Sequence, residues 1–148
     1  MGMDKEQLIA IISDKIKLIR VEQGYTQDRM AVIIGVSKKT LVQIEKGRIL
    51  AGWTTVVAVI ALFPGSSVLK AACGDSPLET ALTIAHQRYE WEASRQEEWY
   101  WKPLEEKGSV VMEQHAVSGH YRISDYNTGR RFTSVDRTEA EMTLDRWT

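Results

Sequence analysis

Residues Tyr25 to Arg48, YTQDRMAVIIGVSKKTLVQIEKGR, decide how this chain is read. Two short apolar-periodic segments flank one glycine, Gly35, which can take a positive φ angle without strain and so end the first of them. Thr26 is a good N-cap for that first segment, and Asp28 in its first turn complements the helix dipole. Ser37 caps the second segment, which ends at Gly47. Ala31 is small enough for two helices to cross closely, and Val36, Leu41 and Ile44 can anchor the second helix from inside. Lys38, Lys39, Thr40, Gln43 and Lys46 then turn outward. Those side-chain types contact phosphates and base edges in DNA.

Gln27, Ala31, Gly35, Leu41, Ile44 and the closing Glu45-Lys46-Gly47 stand in the register of the phage-repressor-like, or Xre, helix-turn-helix family. Residues 12–72 or so resemble its five-helix, lambda-repressor-like DNA-binding domain. The resemblance implies that Gln27 contacts a phosphate and braces the recognition helix. It places Ser37, Lys38, Lys39, Thr40 and Gln43 toward the major groove. Lys46 and Arg48, with the next helix start near Trp53 and Thr54, fall where the family grips the backbone. It also implies an ion pair between Arg20 and Glu45, joining the first and third helices.

Chemistry apportions these roles further. Lysine at a helix N-terminus can donate to guanine O6 and N7, and glutamine can pair with adenine N6 and N7. Lys38 or Lys39 is thus the expected guanine contact, and Gln43 the contact to adenine or a phosphate. Free N–H groups near Thr26 and Ser37 suit phosphates. Val42 departs from the pattern, because a polar residue is common beside the reading face. The operator therefore does not carry over from any relative.

Upstream, Leu8, Ile9, Ile12, Ile16 and Ile19 recur at helical spacing, giving a first helix from about Asp4 to Gln23 with Gly24 as its stop. Downstream, a fourth helix is expected over Trp53–Leu62, broken by Pro64-Gly65, and a short fifth helix reaches Cys73. Ser76-Pro77-Leu78-Glu79 opens another helix, with Ser76 as N-cap, Pro77 in the first position and Glu79 completing a capping box. The stripe Leu78, Leu82, Ala85, Tyr89, Ala93 and Tyr100 extends that helix to Trp101, until Pro103. It is a candidate for dimerisation or for packing on its own domain. Past Gly108 the period shortens, and strands are expected over 110–117, 120–125 and 131–135, with Asn127-Thr128-Gly129 as a hairpin turn. Thr138 and Glu141 suit the start of a short terminal helix.

The expected fold is mainly α, followed by an α+β part. A helix-turn-helix domain occupies 1–73, a long connecting or dimerisation helix lies within 74–106, and a small three-stranded antiparallel sheet with a terminal helix fills 107–148. Charge follows this division. Residues 1–62 carry nine Lys or Arg against six Asp or Glu, and residues 63–148 carry ten against fourteen. A basic end for nucleic acid and an acidic end for a partner fit that split.

The apolar fraction of 43% and a longest apolar run from Val56 to Phe63 exclude a membrane-spanning helix and point to a cytoplasmic protein. Cys73 is the single cysteine, so no intrachain disulfide can form, and a packing role suits it. His115 and His120 near Asp125 lack a third convergent ligand, so no metal site or other cofactor is expected. The aromatic group Trp91, Trp99, Tyr100 and Trp101 suits a buried junction between helix and sheet. Arg130 and Arg131 suit edge-strand protection. No nucleophile motif or phosphate loop marks an enzyme. The function expected is a homodimeric transcriptional regulator, most simply a repressor, bound to double-stranded DNA. The alternative is an antitoxin-like or adaptor protein whose C-terminal part takes a protein partner or a small effector.

Overall fold

The computed structural model describes residues 2–91 and 98–148. They divide into two compact units, Met1–Trp91 and Glu92–Thr148.

The first unit is six helices. α1 spans Lys5–Glu22, and Asp4 and Gln7 close a reciprocal capping box at its start. Its apolar positions Leu8, Ile12, Ile16 and Ile19 are all fully buried. Four such side chains at about 1.5–3 kcal/mol each make α1 the spine of the unit. α2 (Gln27–Ile34) ends at Gly35, whose φ of 76° lies in the left-handed region. α3 (Lys38–Glu45) follows, and α4 (Trp53–Leu62) and α5 (Ser67–Cys73) complete the five-helix domain. Met30, Leu41, Ile44, Val56, Val59, Ile60, Phe63 and Leu69 join the α1 residues in one core. Cys73 is buried there, and burial raises its thiol pKa.

Three polar side chains of α1 tie later segments to this core. The Ser13 hydroxyl accepts from Ala51 N–H at 2.8 Å in the turn before α4. Arg20 reaches α3. Glu22 accepts from the N–H groups of Ser67 and Val68 and from the Ser66 hydroxyl, at 2.9–3.2 Å, so it serves as an acceptor for the start of α5. Partial desolvation pushes the Glu22 carboxyl upward, but these three bonds outweigh it and hold its pKa below the ordinary value.

α6 covers Pro77–His86, with Ser76 Oγ accepting from Glu79 N–H. It is much shorter than the helix expected to reach Trp101. Gln87 takes a φ of 67°, which turns the backbone out of the helix after one apolar stripe has been buried. The extension through Ala93 lies partly outside the described residues. Pro77 and Ala81 are buried, and Ile84 packs on the five-helix core. The expected stripe lies on another side: Leu78, Ala85 and Tyr89 are exposed and Leu82 is half-buried.

The second unit is a four-stranded antiparallel sheet in the order β1-β2-β3-β4, closed by a helix. β1 is Trp101–Lys107, β2 Val110–His115, β3 Tyr121–Asp125 and β4 Arg131–Ser134. A three-stranded sheet was expected, and β1 is the addition. It is an edge strand, so Pro103 loses no ladder bond that a central strand would need, and the register shifts between Pro103 and Glu105. α7 spans Arg137–Trp147 and is capped by Asp136, whose carboxylate accepts from Thr138 N–H, so the cap lies two residues before the one expected. Val110, Met112, Ile123, Ala140 and Leu144 form this unit's own core, with Leu104, Tyr121, Phe132 and Trp147 around it. Arg130 lies over the Trp147 ring at 4.1 Å.

Candidate nucleic-acid interface

The candidate surface is built from the N-terminus of α2, the length of α3 and the turn after it. Thr26 Oγ1 accepts from Arg29 N–H at 3.1 Å and fixes the first turn of α2. Gln27 is the first residue of that helix and is half-buried. Ser37 Oγ accepts from Thr40 N–H at 3.0 Å and donates to Thr40 Oγ1 at 2.9 Å, so the cap residue and Thr40 are fixed together. Leu41 and Ile44 are buried on the inner face of α3. Lys39, Gln43 and Lys46 follow at spacings of four and three, the spacing that aligns side chains along one helix face. Lys39 and Lys46 are exposed, and Gln43 is half-buried. Arg48 is exposed beyond Gly47, and its Nη1 donates to Gln43 Oε1 at 3.5 Å.

Arg20 and Glu45 hold α3 to α1. Arg20 Nε lies 3.2 and 3.1 Å from the two Glu45 carboxylate oxygens, and Nη2 lies 2.8 Å from Oε1. Nη1 donates to the Tyr25 carbonyl at 2.9 Å, at the entry to α2. The Glu45 side chain is only 3% exposed and that of Arg20 is 14% exposed. One guanidinium thus pins both the start of the helix-turn-helix and the end of its second helix. A forked pair of this kind fixes orientation as well as distance.

Two neighbours of this surface were not expected. Lys38 Nζ is 3.2 Å from Asp28 Oδ2, so a candidate base-reading lysine carries a partner from α2. The Trp53 ring is half-buried against the core and has Lys5 Nζ over it at 4.8 Å. At the start of α4, where Trp53 and Thr54 stand, Gly52 provides no side-chain cap, leaving the first-turn N–H groups open. The acid in the first turn of α2 was visible in the sequence, but it reads there only as a complement to the helix dipole.

The aromatic residues before the sheet do not share a helix. Trp99 is 71% exposed and stacks on Tyr100 in a single 3-10 turn, Glu98–Tyr100, and Trp101 opens β1. Trp101 meets His115 and His120 edge-on, at ring-centroid distances of 4.8 and 5.0 Å. The Arg122 guanidinium lies over Trp101 at 3.8 Å and bonds to Glu113 across the strands at 3.2 Å. His115 Nδ1 accepts from the N–H groups of Val117 and Ser118, so the ring is used to shape the β2–β3 turn. Among the described residues no three His, Cys, Asp or Glu side chains are grouped to hold a metal ion. No described helix is long and apolar enough to cross a membrane.

A polar helix presented by a glycine turn, anchored by Leu41 and Ile44 and clamped by Arg20–Glu45, defines a DNA-binding helix-turn-helix module. The helix-turn-helix family model matches residues 16–64, from the second half of α1 through α4, and this part of the chain is similar to the phage-repressor-like helix-turn-helix proteins. The match does not extend into the second unit. No curated protein and no solved structure matches the chain.

Proposed function

We propose that the protein is a dimeric, sequence-specific transcriptional repressor that reads the major groove of double-stranded DNA with α3. The observation that carries this reading is the two-sidedness of α3. Its buried residues and Glu45 fix its pose, and Lys39, Gln43 and Lys46 occupy the opposite face. In this reading Lys38 or Lys39 contacts guanine, and Gln43 contacts adenine or a phosphate. Thr26, Gln27, Ser37 and Thr40 orient the helix ends on the duplex. Lys46, Arg48 and the open N–H groups of α4 bind the backbone.

One such module makes a small interface, and two-fold pairing would set half-sites roughly 34 Å apart. The exposed Leu78 on α6 (51%) and Tyr89 just beyond it (46%) support a contact between two copies. A second reading rests on the second unit, which has its own core and lies outside the family match. In that reading it takes a protein partner or a small effector, as in an antitoxin-like or adaptor protein, and DNA binding serves autoregulation.

Selection of bound duplexes from a random library tests the first reading, followed by titration of the selected site and of random DNA. Lys39→Ala and Gln43→Ala should weaken the selected site far more than random DNA. Lys46→Ala should weaken both and lower the salt slope by about one unit. Equal losses on both DNAs for all three variants would remove the base-reading assignment. Light scattering on the purified chain separates a homodimer from a protein that co-purifies with a partner.

A further inference from the structure

We infer that Asp28 is a specificity-determining residue of the DNA-reading surface, acting by positioning Lys38. The inference rests on the major-groove reading proposed above and adds a residue to it.

Asp28 is in an awkward place for a DNA-binding protein. It lies in the first turn of α2, beside Thr26 and Gln27, where the helix N-terminus otherwise favours a phosphate. A carboxylate there repels the duplex backbone. The structure places the Lys38 ammonium 3.2 Å from it, across the glycine turn. Lys38 and Asp28 are 55% and 71% exposed at the side chain, so the pair adds little to folding. Its consequence for binding is larger. The two charges cancel at that corner, and Lys38 contributes little to sequence-independent attraction.

An ammonium has three N–H donors, and one bond to Asp28 leaves two for a base edge. Guanine offers O6 and N7 as paired acceptors in the major groove. A free lysine would swing to the nearest phosphate, because its stem is flexible and its charge is compact. Asp28 holds the ammonium near the α3 N-terminus and penalises placement of a phosphate beside it. Lys39, its sequence neighbour, has no such partner among the described residues, so no carboxylate sets where its ammonium goes. Of the two adjacent lysines, only Lys38 is thus held in place by a carboxylate.

The test is Asp28→Asn in the full chain, measured on the site selected by the wild-type protein, on all single-base variants of that site and on random DNA. Random-DNA affinity should rise and its salt slope steepen by about one unit, because Lys38 becomes a free phosphate ligand. Discrimination at one base pair of each half-site should fall about fivefold or more. That loss should be absent when Asp28→Asn is made in a Lys38→Ala background, and Asp28→Glu should restore part of the discrimination. Circular dichroism of each variant checks that the helices are intact. Unchanged discrimination in Asp28→Asn, or an equal loss in the Lys38→Ala background, would overturn the role of Asp28 and leave the major-groove reading standing. A wild-type protein that selects no sequence would overturn both.

Discussion

Arg20→Ala removes one half of the clamp between α1 and α3. The Glu45 carboxylate then loses three hydrogen bonds of 2.8–3.2 Å at once, and among the described residues Arg20 supplies all of its side-chain partners. With the side chain 3% exposed, water cannot replace them without opening the helix packing. Stranding one partner of such a pair costs about 3–5 kcal/mol. Glu45→Ala should be milder, about 2–3 kcal/mol, because Arg20 is 14% exposed and keeps its bond to the Tyr25 carbonyl. The double variant should be less destabilised than the sum of the singles by about 1.5 kcal/mol or more, since no stranded charge remains. For a unit of this size the Arg20→Ala loss lowers the melting temperature by about 12–30 °C. Thermal and urea unfolding followed by far-ultraviolet circular dichroism reads all three variants. A loss below about 1 kcal/mol for Arg20→Ala, or strict additivity in the double variant, would refute the clamp.

The Glu22 carboxylate is held below its ordinary pKa of 4.5 by its bonds to the start of α5, so its contribution is fully present above that value and fades as pH falls through the lower folded value. Urea titrations in acid should show a stability loss below about pH 4.5 that is absent in Glu22→Gln. Gly35→Ala should cost about 1–2 kcal/mol, because φ is 76° and the added Cβ meets no neighbouring atom, so the strain is conformational. A differential scan reads it, and an unchanged melting point would contradict the left-handed turn. Leu144→Ala, 1% exposed in the sheet unit, should cost that unit about 2–5 kcal/mol. Fluorescence of Trp99, Trp101 and Trp147 should follow that loss, and binding to a single half-site should not change.

The first five helices were legible because their signals are local. Thr26, Ser37 and Ser66 each cap the helix they precede, and Gly24, Gly35 and Gly47 all take positive φ where a helix ends. The end of α6 was not legible. It is set by Gln87 with a positive φ of 67°, which a non-glycine residue rarely takes, while the apolar spacing continues past it. β1 was hidden for another reason. Its sequence, WKPLEEK, has a proline and four charged residues and no clean alternation, as an edge strand with an irregular register tolerates. On the surface of α3 the side chains were readable one by one. Their pairings were not, since Asp28–Lys38 and Arg48–Gln43 depend on how two helices and a turn come together.

Ser13, Arg20 and Glu22 lie along one helix and reach, respectively, the turn before α4, the end of α3 and the start of α5. α1 therefore acts as a jig, with a stop for each part that must be set at an angle. The partners lie 25 to 46 positions away in sequence, so α1 sets the pose of segments well downstream of it, with Arg20 the one of the three that holds α3. In the reading proposed above, small changes along α1 would re-aim α3 on DNA without touching a residue that faces it. A search for altered operator preference would do well to randomise the neighbours of those three side chains as well as α3 itself.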